Sequence, residues 1–469
     1  MRRTKIVATI GPACRDLETL TRMVDAGLDV ARLNFSHGNR EMHAENADLV
    51  RRAATAAGRQ VAILQDLPGP KIRIGSLEDD IAELKPGEKL VLMCGANSTV
   101  GNGERMSVSW DGLAAAVDPE DIIYLADGAI RLRVQTVREG DGEVETAVEI
   151  GGTVASRQGL NIPGSTRGLP AVPEEDLDML RFGESIGVDL VALSFVRTAE
   201  DVTSVRRHTR LPLIAKIEKP QAVDSAEEII RAADCVMVAR GDLGIELPIE
   251  DVPIVQKQLL RTAGKLARPA ITATQMLDSM VNSSRPTRAE VADVANAILD
   301  GTDAVMLSQE TAIGQYPVGA VEMMAAVAEK TEHTLPYRTW NEERVRRDAR
   351  DPAYTIAYSA CAAARDLHLA ALVVPTLSGR SVRLISAHRP QVPIYALSPG
   401  KETVRRCSLM WGVEAGPMRR HEVTEALIAD AARRVVELGW VKSGARVGIT
   451  AGLPSGRPGT TSLFQIQRV

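Results

Sequence analysis

A closed (β/α)8 barrel is the fold class this sequence predicts, and three observations predict it. Eight short apolar runs fall within the first 310 residues, each closed by a polar or charged residue. Amphipathic stretches separate most of them. A β-rich, helix-poor segment breaks the rhythm once, between the third and fourth runs. Continuous runs of Val, Ile, Leu and Ala suit strands buried on both faces, as in a parallel sheet. Eight such units close into a barrel, where functional groups gather on the loops after the strand C-termini.

The first three runs are 5–10, before Gly11-Pro12; 30–33, before Asn34; and 61–64, before Gln65-Asp66. The fourth, 189–193, enters Ser194-Phe195-Val196-Arg197, and the fifth, 213–217, carries Lys216 into Glu218-Lys219. The last three are 235–239 before Arg240-Gly241-Asp242, 270–273 before Thr274-Gln275, and 304–307 before Ser308-Gln309-Glu310. Helical periodicity marks 17–26, 45–57, 174–186 and 287–299. Between 69 and 168, β-rich segments at 89–93, 121–124, 131–137 and 143–150 alternate with Gly-rich turns, which predicts a small all-β insertion. Emerging from the strand-three loop, it sits over the barrel mouth and can close as a lid. After Pro336, helix (355–367, 381–388, 422–437) alternates with strand (371–375, 392–397, 446–451), as in an open α/β domain. The expected division is therefore a barrel from 1–68 and 169–336, a lid from 69–168 and an α/β domain from 337–469. No repeat beyond the β–α rhythm is evident.

Composition narrows the function classes. Hydrophobic content of 45% with 25% charge is ordinary for a globular protein. A net charge of −5 lacks the basic footprint of a nucleic-acid partner. No run reaches the roughly 18 apolar residues of a membrane span. Met1-Arg2-Arg3 precedes a short apolar run that enters a strand, which argues against a signal peptide. The five cysteines are scattered without a CxxC pair, so structural zinc is not expected and a reducing cytoplasm is.

The strand ends carry the chemistry. Glu218 and Asp242 close neighbouring strands, and two carboxylates with water and substrate oxygens suit Mg²⁺ or Mn²⁺. Each alone is as readily a helix cap or an ion-pair partner of Lys219 or Arg240; the pairing favours metal. Lys216 lies two residues before Glu218 on the same strand, so the two share a face. Beside a metal, its ammonium suits a transferring phosphoryl group or an enolate oxygen, or a Schiff base. Arg32 is a phosphate or carboxylate clamp. Thr274 and Ser308 add hydroxyls on the same rim, where each alone reads as a helix N-cap. Neither a P-loop nor a GxGxxG is present, so metal and basic side chains must hold any nucleotide; Arg73 can reach phosphates or be a solvated surface arginine.

As strings, 31–38 (ARLNFSHG), 216–219 (KIEK), 237–244 (MVARGDLG), 273–277 (ATQML), 306–312 (MLSQETA) and 9–13 (TIGPA) resemble pyruvate kinases, in order and spacing along nearly the whole chain. The resemblance implies transfer of the phosphoryl group of phosphoenolpyruvate to ADP, then protonation of the enolate to pyruvate. It implies that Arg32 and Lys216 hold the phosphoryl group and that Glu218 and Asp242 bind the divalent ion. The amides of Gly241 and Asp242 and the Thr274 hydroxyl would take the substrate carboxylate. Thr274 and Ser308 would belong to the proton-delivering network, and Pro12, Asn34, His37 and Arg73 would contact ADP. The family usually forms homotetramers.

The departures matter too. Most pyruvate kinases use K⁺, held at positions matching Asn34, Ser36, Asp66 and the Leu67 carbonyl. K⁺-requiring members carry glutamate where this chain has Lys71 and threonine where it has Leu67; this pair resembles the K⁺-independent subgroup. An ammonium fixed near nucleotide phosphates can replace the charge of K⁺, so activity without a monovalent cation is expected. Met42 and Gln158 stand where a tyrosine and a lysine near the nucleotide are usual, and Gln309 replaces a glycine. In the third region Thr376, Ser378, Gly379 and Ser381 join a strand to a helix, an arrangement suited to anions. The family's phosphorylated effectors bind such a loop, with a second half expected from 452–461. A metal-dependent pyruvate-enolate lyase or aldolase on the same barrel is the alternative, although it gives the lid and the Lys71/Arg73 loop no work. A phosphate-sensing barrel without turnover is a third reading.

Overall fold

The computed structural model describes residues 2–95, 100–126, 128–163, 172–345, 351–452 and 461–469. Eight parallel strands close into a barrel: Lys5–Thr9, Val30–Asn34, Ala62–Asp66, Leu190–Leu193, Leu213–Ile217, Cys235–Ala239, Ala270–Ala273 and Ala304–Leu307. Both faces of each run are buried, for different reasons. Val7, Val30, Leu64, Ala192, Ile214, Met237, Ile271 and Met306 fill the barrel interior. The alternate residues, among them Ile6, Leu33, Ile63, Val191 and Ile217, pack beneath the helices. Continued by two residues, the inward parity of five strands delivers Thr9, Arg32, Asp66, Ser194 and Lys216 to the mouth. The top of the barrel is thus polar because of register, with no special loop needed to aim these side chains.

The opposite end shows a repeat that the sequence reading did not find. Asp29, Asp189, Asp234 and Asp303 each directly precede an even-numbered strand. Each accepts, through Oδ2, the amide of a residue beginning the preceding odd strand: Ile6 at 2.9 Å, Ile63 at 2.9 Å, Leu213 at 3.0 Å and Ala270 at 2.9 Å. Each also meets an arginine: Arg2 for Asp29, Arg51 and Arg405 for Asp189, Arg206 for Asp234, Arg389 for Asp303. Two-strand units are therefore clamped four times around the barrel floor.

The helices follow the expected pattern. One begins earlier than its apolar periodicity suggests, at Arg40, because Asn39 caps it through Oδ1 to the Met42 amide. In the insertion, six strands form one sheet and Ile81–Leu84 pairs with Gly152–Ala155. It is not purely β: Leu113–Ala116 makes a helical turn. Its core includes Leu90, Leu92, Ile123, Leu132 and Val144.

The C-terminal region is a five-stranded sheet ordered Val413–Pro417, Ile394–Ser398, Ala371–Pro375, Arg446–Gly452 and Thr461–Arg468, the last antiparallel. The outer strands and the helix Lys401–Arg406 are absent from the sequence reading. This region docks on the barrel floor. Arg405 meets Asp189 at 2.7 Å, Arg389 meets Asp303 at 2.9 Å, and Lys5 Nζ donates to the Val413 carbonyl at 2.7 Å. Tyr337 and Trp411 join the barrel core, while Val345 joins the core of the C-terminal region.

Candidate active site

Lys216 is the centre of the mouth. Its Nζ lies 2.8 Å from Glu218 Oε1, 3.4 Å from Asp66 Oδ1, and donates to Ser194 Oγ at 2.7 Å. Ser194 Oγ donates in turn to the Leu67 carbonyl at 2.7 Å. Arg32 completes the ring, with Nε on Asp66 Oδ2 at 2.6 Å and Nη1 on Thr9 Oγ1 at 2.9 Å. Burial pulls the Lys216 ammonium down, but Asp66, Glu218 and Asp242 together hold it above its ordinary value. Burial pushes Asp66 up, and Lys216 and Arg32 overcome that and hold it below the usual carboxylate range. The lysine therefore stays charged. The three carboxylates around it favour the charged form, which speaks against the Schiff-base reading, since an imine-forming lysine needs its ammonium destabilised.

Glu218 is fully buried, and burial pushes its carboxyl upward, Asp242 adding to the effect and Lys216 opposing it. Its Oε2 accepts the Phe195 amide at 2.7 Å, whereas Oε1 has no partner with hydrogen-bond geometry. Asp66 Oδ1 is in the same position. A buried carboxylate with an oxygen free of hydrogen-bond geometry, beside a second carboxylate, fits a hard divalent cation. No group of three or more His, Cys, Asp or Glu among the described residues forms a metal cage. Glu218 and Asp242 would hold the ion with substrate oxygens and water completing its shell.

Across the mouth, Gly241 N donates to Thr274 Oγ1 at 2.8 Å, and that hydroxyl donates to the Ala273 carbonyl at 2.7 Å. Thr274 and Gln275 sit at φ of 67° and 54°, a left-handed turn that few non-glycine residues adopt. Arg240 holds it: Nε reaches the Ala273 carbonyl at 3.2 Å, Nη2 the Thr274 carbonyl at 2.9 Å and Nη1 Asp293 at 2.7 Å. Ser308 makes no side-chain cap at the start of Gln309–Ala312. Its amide donates to buried Glu310, whose other oxygen takes the Leu277 amide at 3.1 Å and so ties strands seven and eight together.

The expected nucleotide residues lie on the rim. Burial, then Lys71, Arg73 and Arg32, lower the pKa of His37, which places these four groups in one electropositive zone. Arg73 Nη1 donates to the Arg157 carbonyl at 3.0 Å, while Lys71 is exposed and lines the lid–barrel cleft with Ile72, Leu160, Phe195, Arg197 and Asp242. Asn34 Oδ1 accepts the Ser36 amide at 3.2 Å. Of the expected monovalent-cation ligands, Asp66 is paired with Arg32 and Lys216, and the Leu67 carbonyl takes the Ser194 hydroxyl. Pro12 is exposed on the strand-one loop, where Gly11 packs so closely that a Cβ would lie 2.5 Å from the Ala312 carbonyl oxygen. Gln158 spends its side chain on the Ala155 amide and Met42 packs over Gly38; Gln309 is exposed.

The candidate anion loop belongs to the region docked on the floor, away from Lys216. Gly379 takes φ 81° and its amide donates to Thr376 Oγ1 at 2.9 Å; Ser381 bonds Thr461, and Ser378 is exposed. Residues 453–460 of the expected second half lie outside the described residues. Sequence reasoning missed Thr9 and Ser194, although adding two to the inward positions Val7 and Ala192 finds both. It missed Arg240 and Glu310 as supports because the strand ends they join, reached through Thr274, Asp293 and Leu277, are distant in sequence.

A buried ammonium beside metal-suited carboxylates, with a guanidinium on Asp66 at the same mouth of a (β/α)8 barrel that carries a β insertion, suits a metal-assisted phosphotransferase. The comparisons narrow that class. The family model for the pyruvate kinase barrel domain matches residues 1–321, and that for the pyruvate kinase alpha/beta domain matches 354–467. Pyruvate kinase of Geobacillus stearothermophilus is 44% identical over 471 residues, 99% of this chain and 80% of that one. Pyruvate kinase of Staphylococcus saprophyticus is 41% identical over 475 residues, 100% of this chain and 81% of that one. A crystal structure of a pyruvate kinase from Cryptosporidium parvum superposes with a TM-score of 0.92 at 34% identity, covering 100% and 96% of the two chains. The chain belongs to the pyruvate kinase family. These matches lend the lyase alternative no support. No helix among the described residues is long and apolar enough to cross a membrane.

Proposed function

We propose that this chain transfers the phosphoryl group of phosphoenolpyruvate to ADP with Mg²⁺ or Mn²⁺, without needing K⁺. The observation that carries the reading is the charge balance of the mouth: Lys216 shared among Asp66, Glu218 and Ser194, with Arg32 locked on Asp66. Phosphoryl transfer asks the protein mainly to position groups and offset charge. Arg32 and Lys216 face the transferring group and balance its developing negative charge. Glu218 and Asp242 hold the divalent ion, which neutralises substrate oxygens when bound. Thr274, kept in its left-handed turn by Arg240, and the Gly241 and Asp242 amides orient the substrate carboxylate. Thr274 and Ser308 supply hydroxyls along the route by which the enolate gains its proton. His37, Arg73, Asn34 and Pro12 receive ADP.

Lys71 supplies the charge that a monovalent ion would bring. Lys71 lines the lid–barrel cleft, and its charge acts with that of Arg73 on His37. The loop of Thr376, Ser378, Gly379 and Ser381 is proposed to take a phosphorylated effector, and the protein to work as a cytoplasmic homotetramer. Replacing Lys216 by Met tests the central role: turnover should fall by about 10²- to 10³-fold, with Mn²⁺ affinity retained. Normal turnover in that variant contradicts the assignment.

A further inference from the structure

We propose that Asp176 is a positioning residue for the lid, holding its outgoing hinge through the amide of Gly69. The inference rests on the phosphotransferase reading above. The hinge is Leu67-Pro68-Gly69-Pro70. Two prolines fix φ on either side, so the chain direction into the lid is set at Gly69. That residue takes φ 71°, and a Cβ on it would lie 2.9 Å from both Ser194 Cβ and Phe195 Cδ2 and 3.1 Å from the Ser194 carbonyl oxygen. The hinge therefore rests directly on Ser194 and Phe195.

Those two residues are tied to the chemistry. Ser194 Oγ joins Lys216 to the Leu67 carbonyl, and the Phe195 amide binds Glu218. When Lys216 and Glu218 turn to a phosphoryl group and a cation, the floor under the hinge changes its bonding. Asp176 approaches from a different element, the helix Glu174–Ser185 that follows the lid in sequence. Its Oδ2 accepts the Gly69 amide at 2.9 Å. At the third position of a helix a carboxylate ordinarily serves its own N-terminus; this oxygen is spent on the hinge instead. Burial pushes the Asp176 carboxyl up to about 6, a cost offset locally by that one amide. Lys71 follows two residues later, its amide donating to the Gly69 carbonyl at 2.8 Å, so the same contact fixes where its ammonium starts.

The test compares Asp176→Ala with Asp176→Asn, which keeps an acceptor oxygen, in the full-length protein. Pyruvate formation from phosphoenolpyruvate, ADP and Mg²⁺ is measured alongside Mn²⁺ binding and hydrogen exchange of peptides spanning 67–72. Asp176→Ala should lower kcat roughly 10- to 100-fold, raise KM for ADP and speed exchange at the hinge, with Mn²⁺ affinity unchanged. Asp176→Asn should restore all three. Equal losses in both variants, or hinge exchange unchanged in Asp176→Ala, overturn the proposal. If the alanine variant does not fold, Asp176→Ser, too short to reach Gly69, takes its place. Absence of pyruvate with the unsubstituted protein would instead defeat the functional reading, and hinge exchange would still report on Asp176.

Discussion

Lys216 illustrates how one buried cation decides among reactions. Burial alone would drive its ammonium toward the neutral amine, but three nearby carboxylates reverse that. A lysine held charged suits balancing a phosphoryl group or an enolate better than attacking a carbonyl, which needs the free amine. Borohydride reduction in the presence of pyruvate should therefore leave the mass of the peptide carrying Lys216 unchanged; a trapped adduct would overturn this reading. Lys216, Glu218 and Asp242 were legible in the sequence because each falls at or near the C-terminal end of an apolar run. The partners that set their charge states were less so. Ser194 is one polar residue in a loop until the barrel closes and places it 2.7 Å from Lys216. The left-handed turn at Thr274 gives no sequence signal, since φ there is imposed by Arg240 from the neighbouring strand end.

At the scale of elements, the barrel is clamped at its floor by four aspartates whose contributions differ with burial. Asp303 pairs with Arg389, which is fully buried; removing the carboxylate leaves that guanidinium only the Gly301 and Thr302 carbonyls and no counter-charge on Nη1. Asp303→Ala should cost about 3–5 kcal/mol of unfolding free energy, read by urea denaturation. Asp234 and Arg206 are both partly exposed, so the ion pair itself is worth only about 0–1 kcal/mol, the Leu213 amide contact adding about 1 kcal/mol. Equal losses at the two sites would contradict the dependence on burial. The strands themselves were readable, four of the eight to the residue, because continuous apolar runs have few alternatives. The clamps were not: an aspartate before a strand looks like any turn residue, and its arginine partner can lie more than two hundred residues away, as Arg405 does from Asp189.

Across the whole molecule, three regions divide the work around one barrel. The lid rises from the mouth on a proline-flanked hinge, and the C-terminal sheet grips the floor. One outer strand of that sheet escaped the sequence reading for a physical reason. Val413–Pro417 contains Gly and Pro and lies at an edge, where a missing ladder donor is tolerated. Lys71 lines the lid–barrel cleft together with Asp242 and Arg197, a relation that only the folded chain displays, although the identity of Lys71 already suggested a built-in cation. The most direct measurement is the rate of pyruvate formation from phosphoenolpyruvate and ADP with Mg²⁺, in K⁺ and in tetramethylammonium at equal ionic strength. Equal rates are the result expected if Lys71 stands in for the monovalent ion. A rate that appears only with K⁺ would contradict the role given to Lys71, and no pyruvate in either salt would contradict the phosphotransferase reading itself.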